Sequence, residues 1–332
     1  MNRLAFVMLF AYLPFMAVSA HAQGADRLYA LLVNGGRNRL INHERYWNDC
    51  ALLYCMLRHA YHVPKRNITV LISDGGNPDP DMLRADQTGF ISSPTDLDDD
   101  GLADVDGAAT SDNLHKWMND YAQKLSPNDR LFVFIIDHGG ESDSWNMPYV
   151  WLWDNEQLNA QQLGSMLNQL HVGSTIVLLG QCFAGGFAPY LQGEGRVVLA
   201  ACQADERSWA SKTKPYDEFV YHWTCAIAGH DEYGFPVDAD VDDDGYVTLG
   251  EAFQYAQQHD DRPETPLMVS QPESLAWQWL LGGLKSDVVD IAPPVQAGRQ
   301  RRETAFDLSG KPMRQKSRGI SLEKGRKILT KP

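Results

Sequence analysis

The chain has 332 residues, of which 44% are apolar and 22% charged, with 27 Gly and 17 Pro; this ordinary globular composition excludes a disordered, collagenous or low-complexity protein. A formal charge of −14 argues against nucleic acid or an anionic membrane as the partner of the folded part. The charge is uneven: residues 299–332 carry 11 Lys or Arg against three acids, a net +8, which leaves −22 for the rest.

Residues 1–22 read as a secretory signal, with Arg3, an apolar run from Leu4 to Val18 and a small-x-small site at Ala20-His21-Ala22. The run is shorter than the ~20 residues a membrane span needs, and no later stretch is long and charge-free enough to cross. The expectation is a secreted or periplasmic protein with no membrane span after cleavage. Five Cys is a small, odd number for an oxidising compartment, so at least one stays unpaired within the chain. Pairing among Cys50, Cys55, Cys202 and Cys225 is open, with Cys202 and Cys225 as one option.

The mature chain opens with an apolar strand, Leu28 to Val33, before Asn34-Gly35-Gly36. A helical pattern from about Trp47 to Tyr61 follows, then a β-branched strand from Ile68 to Ile72 closed by Ser73-Asp74-Gly75-Gly76. A loop rich in Asp, Gly and Pro occupies about 74–110. Ser111 is the expected N-cap of a helix to about Lys124. Further strands are expected at Leu131–Ile136, Thr175–Leu179 and Arg196–Ala200, with helices near Asn159–Leu170 and Asp217–Ala228. Strands alternating with helices predict a doubly wound α/β sandwich. One domain is expected over 23–286, and residues 287–332, with Pro293-Pro294 and basic polar sequence, read as a linker and a poorly ordered tail.

In such sheets, chemistry collects at the carboxyl ends of the strands. The third strand runs into Asp137-His138-Gly139-Gly140 and the fourth into Gly180-Gln181-Cys182-Phe183-Ala184-Gly185-Gly186, delivering a His and a Cys to one edge. A free thiol is only a few per cent thiolate at neutral pH; a close imidazole removes its proton or stabilises the anion. His138 would also protonate a leaving amine. Gly139 frees its N–H to approach a substrate carbonyl, and with the N–H of Cys182 it could form an oxyanion hole.

His-Gly after one apolar strand and Cys with small residues and Gly after the next resembles the caspase-like clan of cysteine peptidases, most closely its legumain-like branch, over roughly residues 27–230. Leu31-Leu32-Val33-Asn34-Gly35-Gly36, then Glu44-Arg45-Tyr46-Trp47-Asn48-Asp49-Cys50, is similar to the legumain opening strand and Arg-containing segment. Phe134-Ile135-Ile136-Asp137-His138-Gly139 is similar to the strand and catalytic His-Gly. The resemblance implies a three-layer α/β/α sandwich with a mostly parallel sheet. It also implies a pocket for the residue before the cut, lined by Arg45, Ser208 and Asp217. The legumain motif has Glu-Ala-Cys where this chain has Gly180-Gln181-Cys182, so Gln181 is read as standing in for the pocket Glu. His43 stands where the family has an Asn two places before the pocket Arg. An Arg plus an Asp suits Asn before the cut; a dominant Asp217 would suit a basic residue.

Asp240-Val241-Asp242-Asp243-Asp244-Gly245-Tyr246-Val247-Thr248-Leu249-Gly250-Glu251 fits the twelve-residue EF-hand loop. Asp240, Asp242 and Asp244 hold positions 1, 3 and 5, Gly245 the turn, Tyr246 a carbonyl, Thr248 position 9 and Glu251 the bidentate position 12. A second loop has Asp96, Asp98 and Asp100 at 1, 3 and 5, Gly101 at 6 and Asp104 at 9, but Gly107 at position 12. It resembles calcium loops of the dockerin or thrombospondin-repeat kind, in which a later acid such as Asp106 completes the shell. The expectation is structural Ca2+ at both, with no catalytic metal and no organic cofactor; all-oxygen ligands argue against zinc.

The sequence therefore reads as a secreted, calcium-binding cysteine endopeptidase acting on protein or peptide through Cys182 and His138, with transpeptidation open to the same acyl chemistry. Its oligomeric state is left open. The alternative from another class is an inactive calcium-stabilised binding or adhesion module with the same fold.

Overall fold

The computed structural model describes residues 27–142, 147–284, 319–323 and 326–330; the signal segment and the linker through 318 lie outside the described residues. Its strands in chain order are β1 (Leu28–Asn34), β2 (Ile68–Ile72), β3 (Met82–Leu83), β4 (Phe90–Ile91), β5 (Arg130–Ile136), β6 (Gly139–Ser142), β7 (Met147–Trp151), β8 (Gln157–Asn159), β9 (Ser174–Leu179), β10 (Arg196–Ala200), β11 (Leu267–Gln271), β12 (Trp279–Leu280), β13 (Gly283–Leu284), β14 (Gly319–Glu323) and β15 (Arg326–Thr330). The α-helices are α1 (Glu44–Cys55), α2 (Ser111–Lys124), α3 (Ala160–Leu167), α4 (Ala188–Leu191), α5 (Glu218–Ala228) and α6 (Leu249–His259).

Six strands form the central sheet in the order β11-β10-β9-β5-β1-β2. All neighbours pair parallel except the β10–β11 edge. The strands are apolar on both faces because helices cover both, as a parallel sheet requires. Along β1, Leu28, Ala30 and Leu32 join one core with residues of α1, α5 and α6, while Leu31 and Val33 join the other with residues of α2 and α3. Trp223 of α5 stacks on Phe132 of β5, ring centroids 5.9 Å apart, at the centre of the first core. This is the expected three-layer sandwich.

The five anticipated strands lie where the sequence places them, and the helices differ mainly at their ends. Thr110, rather than Ser111, caps α2: its side chain accepts from the Asn113 N–H. The first helix starts at Glu44 and runs past Cys55 into a π-helical turn, Met56–Ala60. The loop at 74–110 contains the short pair β3–β4. Further elements are additional: the antiparallel edge strand β11, the short helix α4, the pair β12–β13, and the three-stranded sheet β6-β7-β8 that grows directly from the end of β5. Within the tail, β14 and β15 pair antiparallel, where the sequence reading placed no element. All five cysteines are free thiols, so neither Cys202 with Cys225 nor any other pair is joined.

Candidate active site and acidic loops

The connection reverses direction between β1 and β5, since β1 leads outward to β2 while β5 leads to β9 and β10. Chains diverging at such a point leave a crevice at the strand carboxyl ends. In the β5–β9 register Ile135 faces Leu179, and the Gly180 N–H donates to the Ile135 carbonyl at 3.0 Å. His138 and Cys182 therefore each lie three residues past a paired position. Contact continues beyond the ladder: a Cβ on Gly139 would sit 2.0 Å from the Cys182 carbonyl oxygen, so only a residue without a side chain can occupy that place.

His138 is packed on several sides. Its Nε2 lies 3.1 Å from the Ile41 carbonyl. A carbonyl only accepts, so Nε2 carries the hydrogen, and in the neutral ring Nδ1 keeps the lone pair. The His43 and Tyr46 rings meet it edge-on, at centroid distances of 5.3 and 5.6 Å. Burial holds the His138 pKa below its ordinary value, against the hydrogen bond it donates to the Ile41 carbonyl, with the Arg45 charge pushing the same way as burial. Burial, with the charges of Arg45 and His138, lowers His43 to about 4. Beneath them Asp137 is wholly buried; its carboxylate accepts from the His138 N–H at 2.6 Å, and burial pushes its pKa well up. The Trp151 N–H donates to the His138 carbonyl at 3.0 Å. Because antiparallel ladders alternate bonded and unbonded pairs, the next pair, Gly139–Val150, leaves the Gly139 N–H facing away from β7.

Cys182 sits at a sharp turn, followed by Phe183 in the left-handed region at φ 61. The Phe183 N–H donates to the Glu206 carbonyl at 2.8 Å, and the Cys202 thiol donates to the Gln181 and Glu206 carbonyls. These contacts lay residues 206–209 beside the turn. The Ser208 carbonyl and hydroxyl are 3.8 and 3.7 Å from the Cys182 sulfur. The strip is held from outside by Glu264, whose carboxylate accepts from the Trp209 N–H at 2.7 Å.

The structure brings Arg45 and Asp217 together. The Arg45 Nε is 3.1 Å from an Asp217 carboxylate oxygen, and that carboxylate is 5% exposed. An Arg45 terminal nitrogen also donates to the Tyr46 hydroxyl at 2.9 Å, and its guanidinium lies over the Tyr46 ring. Asp217 is the N-terminal flanking residue of α5, and its N–H donates to the buried Asp49 carboxylate of α1 at 3.2 Å. Gln181 does not join this pair. It is wholly buried, and neither atom of its amide has a hydrogen-bond partner among the described residues. Position for position, the family's Glu falls on Gly180, where a Cβ would meet Ile136 at 2.4 Å; a Glu has no room there.

The two acidic loops share one backbone. Asp99 and Asp243 both have φ 58, and Gly101 and Gly245 both have φ 89. In each, the first Asp accepts from the Gly N–H, at 2.8 and 2.7 Å. Carboxylate oxygens of Asp240, Asp242 and Asp244 gather within 4.8 Å of one another, as do those of Asp96, Asp98 and Asp104. Glu251 accepts from the Val241 N–H at 3.1 Å and forms a capping box with Thr248, the N-cap of α6. Asp104 does the equivalent job in the other loop, accepting from the Leu97 N–H at 2.9 Å, so that loop closes three residues earlier and has no need of an acid at position 12. Asp100 is outside its cluster and accepts from the Leu102 N–H. Asp106 turns away to Lys65, 3.0 Å, and the Val70 N–H.

Sequence reasoning missed the Ile41 carbonyl, Tyr46 and Glu264. A carbonyl has no sequence signature. Tyr46 is hidden by helical periodicity that equally describes a core tyrosine. Glu264 lies in Pro263-Glu264-Thr265-Pro266, where polarity reads as loop.

Residues 111–263 match the family model for the Peptidase C13 family, the legumain family of clan CD. The match spans His138, Cys182, Ser208, Asp217 and the loop ending at Glu251, and stops short of Arg45. No curated protein matches the chain.

Proposed function

We propose that this chain, whose residues 111–263 match the Peptidase C13 family model, is an exported, calcium-stabilised cysteine endopeptidase that uses Cys182 as nucleophile and His138 as proton carrier. The observation that carries the reading is the convergence of the two strand ends, with Gly139 packed on the Cys182 backbone. With Nε2 committed to Ile41, Nδ1 takes the thiol proton as sulfur attacks the carbonyl carbon. The N–H groups of Gly139 and Cys182 hold the developing oxyanion, a contribution of a few kcal/mol per donor. His138 then gives the proton to the departing amine; water hydrolyses the thioester by the reverse proton path, and a competing amine gives transpeptidation.

Before the cut, a neutral amide suits the pocket best. Asp217 is already paired with Arg45 at 3.1 Å, so a Lys or Arg entering would have to displace that partner. An Asn can accept from Arg45 and donate to Asp217, with Ser208 alongside. Loss of Arg45 would leave Asp217 free to take a basic side chain, whereas loss of Asp217 would leave a cation that repels one.

Calcium fits the acidic loops by the chemistry of the donors and by one detail. The Asp98 side chain is 1% exposed, and its Oδ1 has no hydrogen-bond partner among the described residues, an expense that a bound cation removes. Asp96, Asp98 and Asp104 would hold one ion; Asp240, Asp242, Asp244, the Tyr246 carbonyl and Glu251 the other. Thr248 serves as the cap of α6. The ions would neutralise clustered carboxylates and rigidify the loops. Among the described residues no helix is long and apolar enough to cross a membrane, and the export reading rests on residues 1–22.

Cleavage profiling of a peptide library, with calcium present, tests the reading. Hydrolysis should be abolished by Cys182→Ala with the melting temperature nearly unchanged; undiminished cleavage by that variant would sink the assignment.

A further inference from the structure

His138 protonates the leaving amine, so the part of a substrate that follows the cut lies over the His138 side of the site. That side is built by the segment 36–42, through the Ile41 carbonyl, and by β7, through Trp151. Arg37 stands where the two meet. Its guanidinium carbon is 4.0 Å from the Trp151 ring centroid, its Nε donates to Asn155 Oδ1 at 3.2 Å, and its carbonyl accepts from the Asn155 N–H at 3.0 Å. Asn38 donates to the same Asn155 oxygen at 3.1 Å. The side chain is thus fixed beneath by an aromatic face and at one edge by a neutral amide. Two residues on, Arg39 is exposed and points over Phe90. Among the described residues, no carboxylate lies within ion-pair distance of Arg37 or Arg39.

The Arg37 charge is felt by the buried Asp137, which accepts from the Arg37 backbone N–H rather than pairing with its guanidinium. A half-buried guanidinium that is stacked, oriented and not engaged in an ion pair presents its remaining N–H donors as a preformed fork for a carboxylate. Little side-chain entropy remains to be lost when such a group binds. The geometry points to a subsite formed by Arg37 on Trp151, with Arg39 at its rim, that takes an acidic side chain from the first or second substrate position after the cut. This rests on the peptidase reading for its direction along the substrate, while the carboxylate preference of the Arg37–Trp151 pair stands on its own contacts.

The test uses quenched fluorescent peptides with Asn before the cut and Glu, Gln or Lys in the two positions after it. The full chain should cleave the Glu peptide with a kcat/KM about fivefold above the Gln peptide, and the Lys peptide below both, with the spread narrowing at high salt. Arg37→Gln should bring the three together, and Arg37→Lys should retain only part of the spread, because an ammonium does not stack as a guanidinium does. Calorimetric titration of the Cys182→Ala protein with the same peptides separates the two readings. Selective, Arg37-dependent binding of the Glu peptide without turnover by the unsubstituted chain would retire the peptidase and keep the subsite. Equal kcat/KM and equal affinity across the three peptides, or a preference that survives Arg37→Gln, would overturn it.

Discussion

Gly139 and Cys182 touch through their backbones: the place a Cβ would occupy on Gly139 is 2.0 Å from the Cys182 carbonyl oxygen. The strand ends carrying the imidazole and the thiol are therefore packed as one piece. Gly139→Ala must push them apart, at a cost of about 1–3 kcal/mol by analogy with overpacked cores. An ångström of displacement between reacting groups is worth on the order of a hundredfold in rate. The variant should melt several degrees lower and lose activity by about that factor while binding peptide. Wild-type turnover in a purified Gly139→Ala protein would show that the two segments do not need this closeness.

The Arg45–Asp217 pair predicts a change in specificity as well as a loss. Arg45→Ala leaves a nearly buried carboxylate without its partner. Cleavage after Asn should fall by at least tenfold, and cleavage after Lys or Arg should rise relative to it, because an incoming cation then replaces the missing guanidinium. Asp217→Asn should lose activity after both classes, since it removes the carboxylate that an incoming Asn amide would donate to and leaves Arg45 as an unpaired cation that repels Lys or Arg. Library profiling of the two variants reads both outcomes. An unchanged preference in Arg45→Ala would place the pocket elsewhere.

The sheet and the meeting of the His138 and Cys182 strand ends were legible because they rest on local patterns: β-branched runs such as Ile68–Ile72, and His138 and Cys182 placed directly after apolar strands. The β6-β7-β8 sheet was not. Gly139-Gly140 carries no strand propensity, and these residues pair only because β7 returns alongside them. The edge strand β11 follows Pro263 and Pro266 and is half-buried along most of its length, so its only strong signal is its partner β10. The placement of Arg45 against Asp217 depends on a contact 172 residues apart in sequence, which the resemblance supplied and no local pattern could. Gln181 shows the opposite failure: a polar residue beside Cys182 reads as a pocket residue, yet the turn that follows β9 buries it completely.

The two acidic loops should differ in how they respond to calcium. In the 240–251 loop, Glu251 also caps α6, so ion binding there should stabilise a helix that packs on α5. At calcium a hundredfold above the dissociation constant, one site adds about 2.7 kcal/mol, several degrees in melting temperature for a domain of this size. Chelation should remove this, and Asp242→Asn should remove only the share of one loop. Terbium offers a direct readout, because Tyr246 lies within the 240–251 loop as an energy donor; Asp240→Asn should quench the sensitised emission. If melting temperature and terbium emission were both indifferent to chelator, neither loop would be a calcium site.

Two half-buried histidines, His43 and His138, set the response to acid, and they act on different quantities. His138 must be neutral to take the thiol proton, and burial holds its pKa below the ordinary value. The acid limb of kcat/KM should therefore fall at a pH below 6.5 rather than near it. His43 acts on stability. Its pKa is lowered from 6.5 to about 4 in the folded chain, so between those limits the unfolded chain binds a proton that the folded one refuses. Stability from this residue is complete above about pH 6.5 and is lost as pH falls toward 4. His43→Gln should flatten the decline in melting temperature across that window while leaving the acid limb of activity below 6.5, because the proton carrier is unchanged. A melting curve with the same pH slope in wild type and His43→Gln would mean that groups other than His43 govern the loss of stability in acid; the raised pKa values of the buried carboxyls Asp49 and Asp137 act in the opposite sense, favouring the folded chain as pH falls. An acid limb that vanished in His43→Gln would make His43, rather than His138, the group whose protonation stops catalysis.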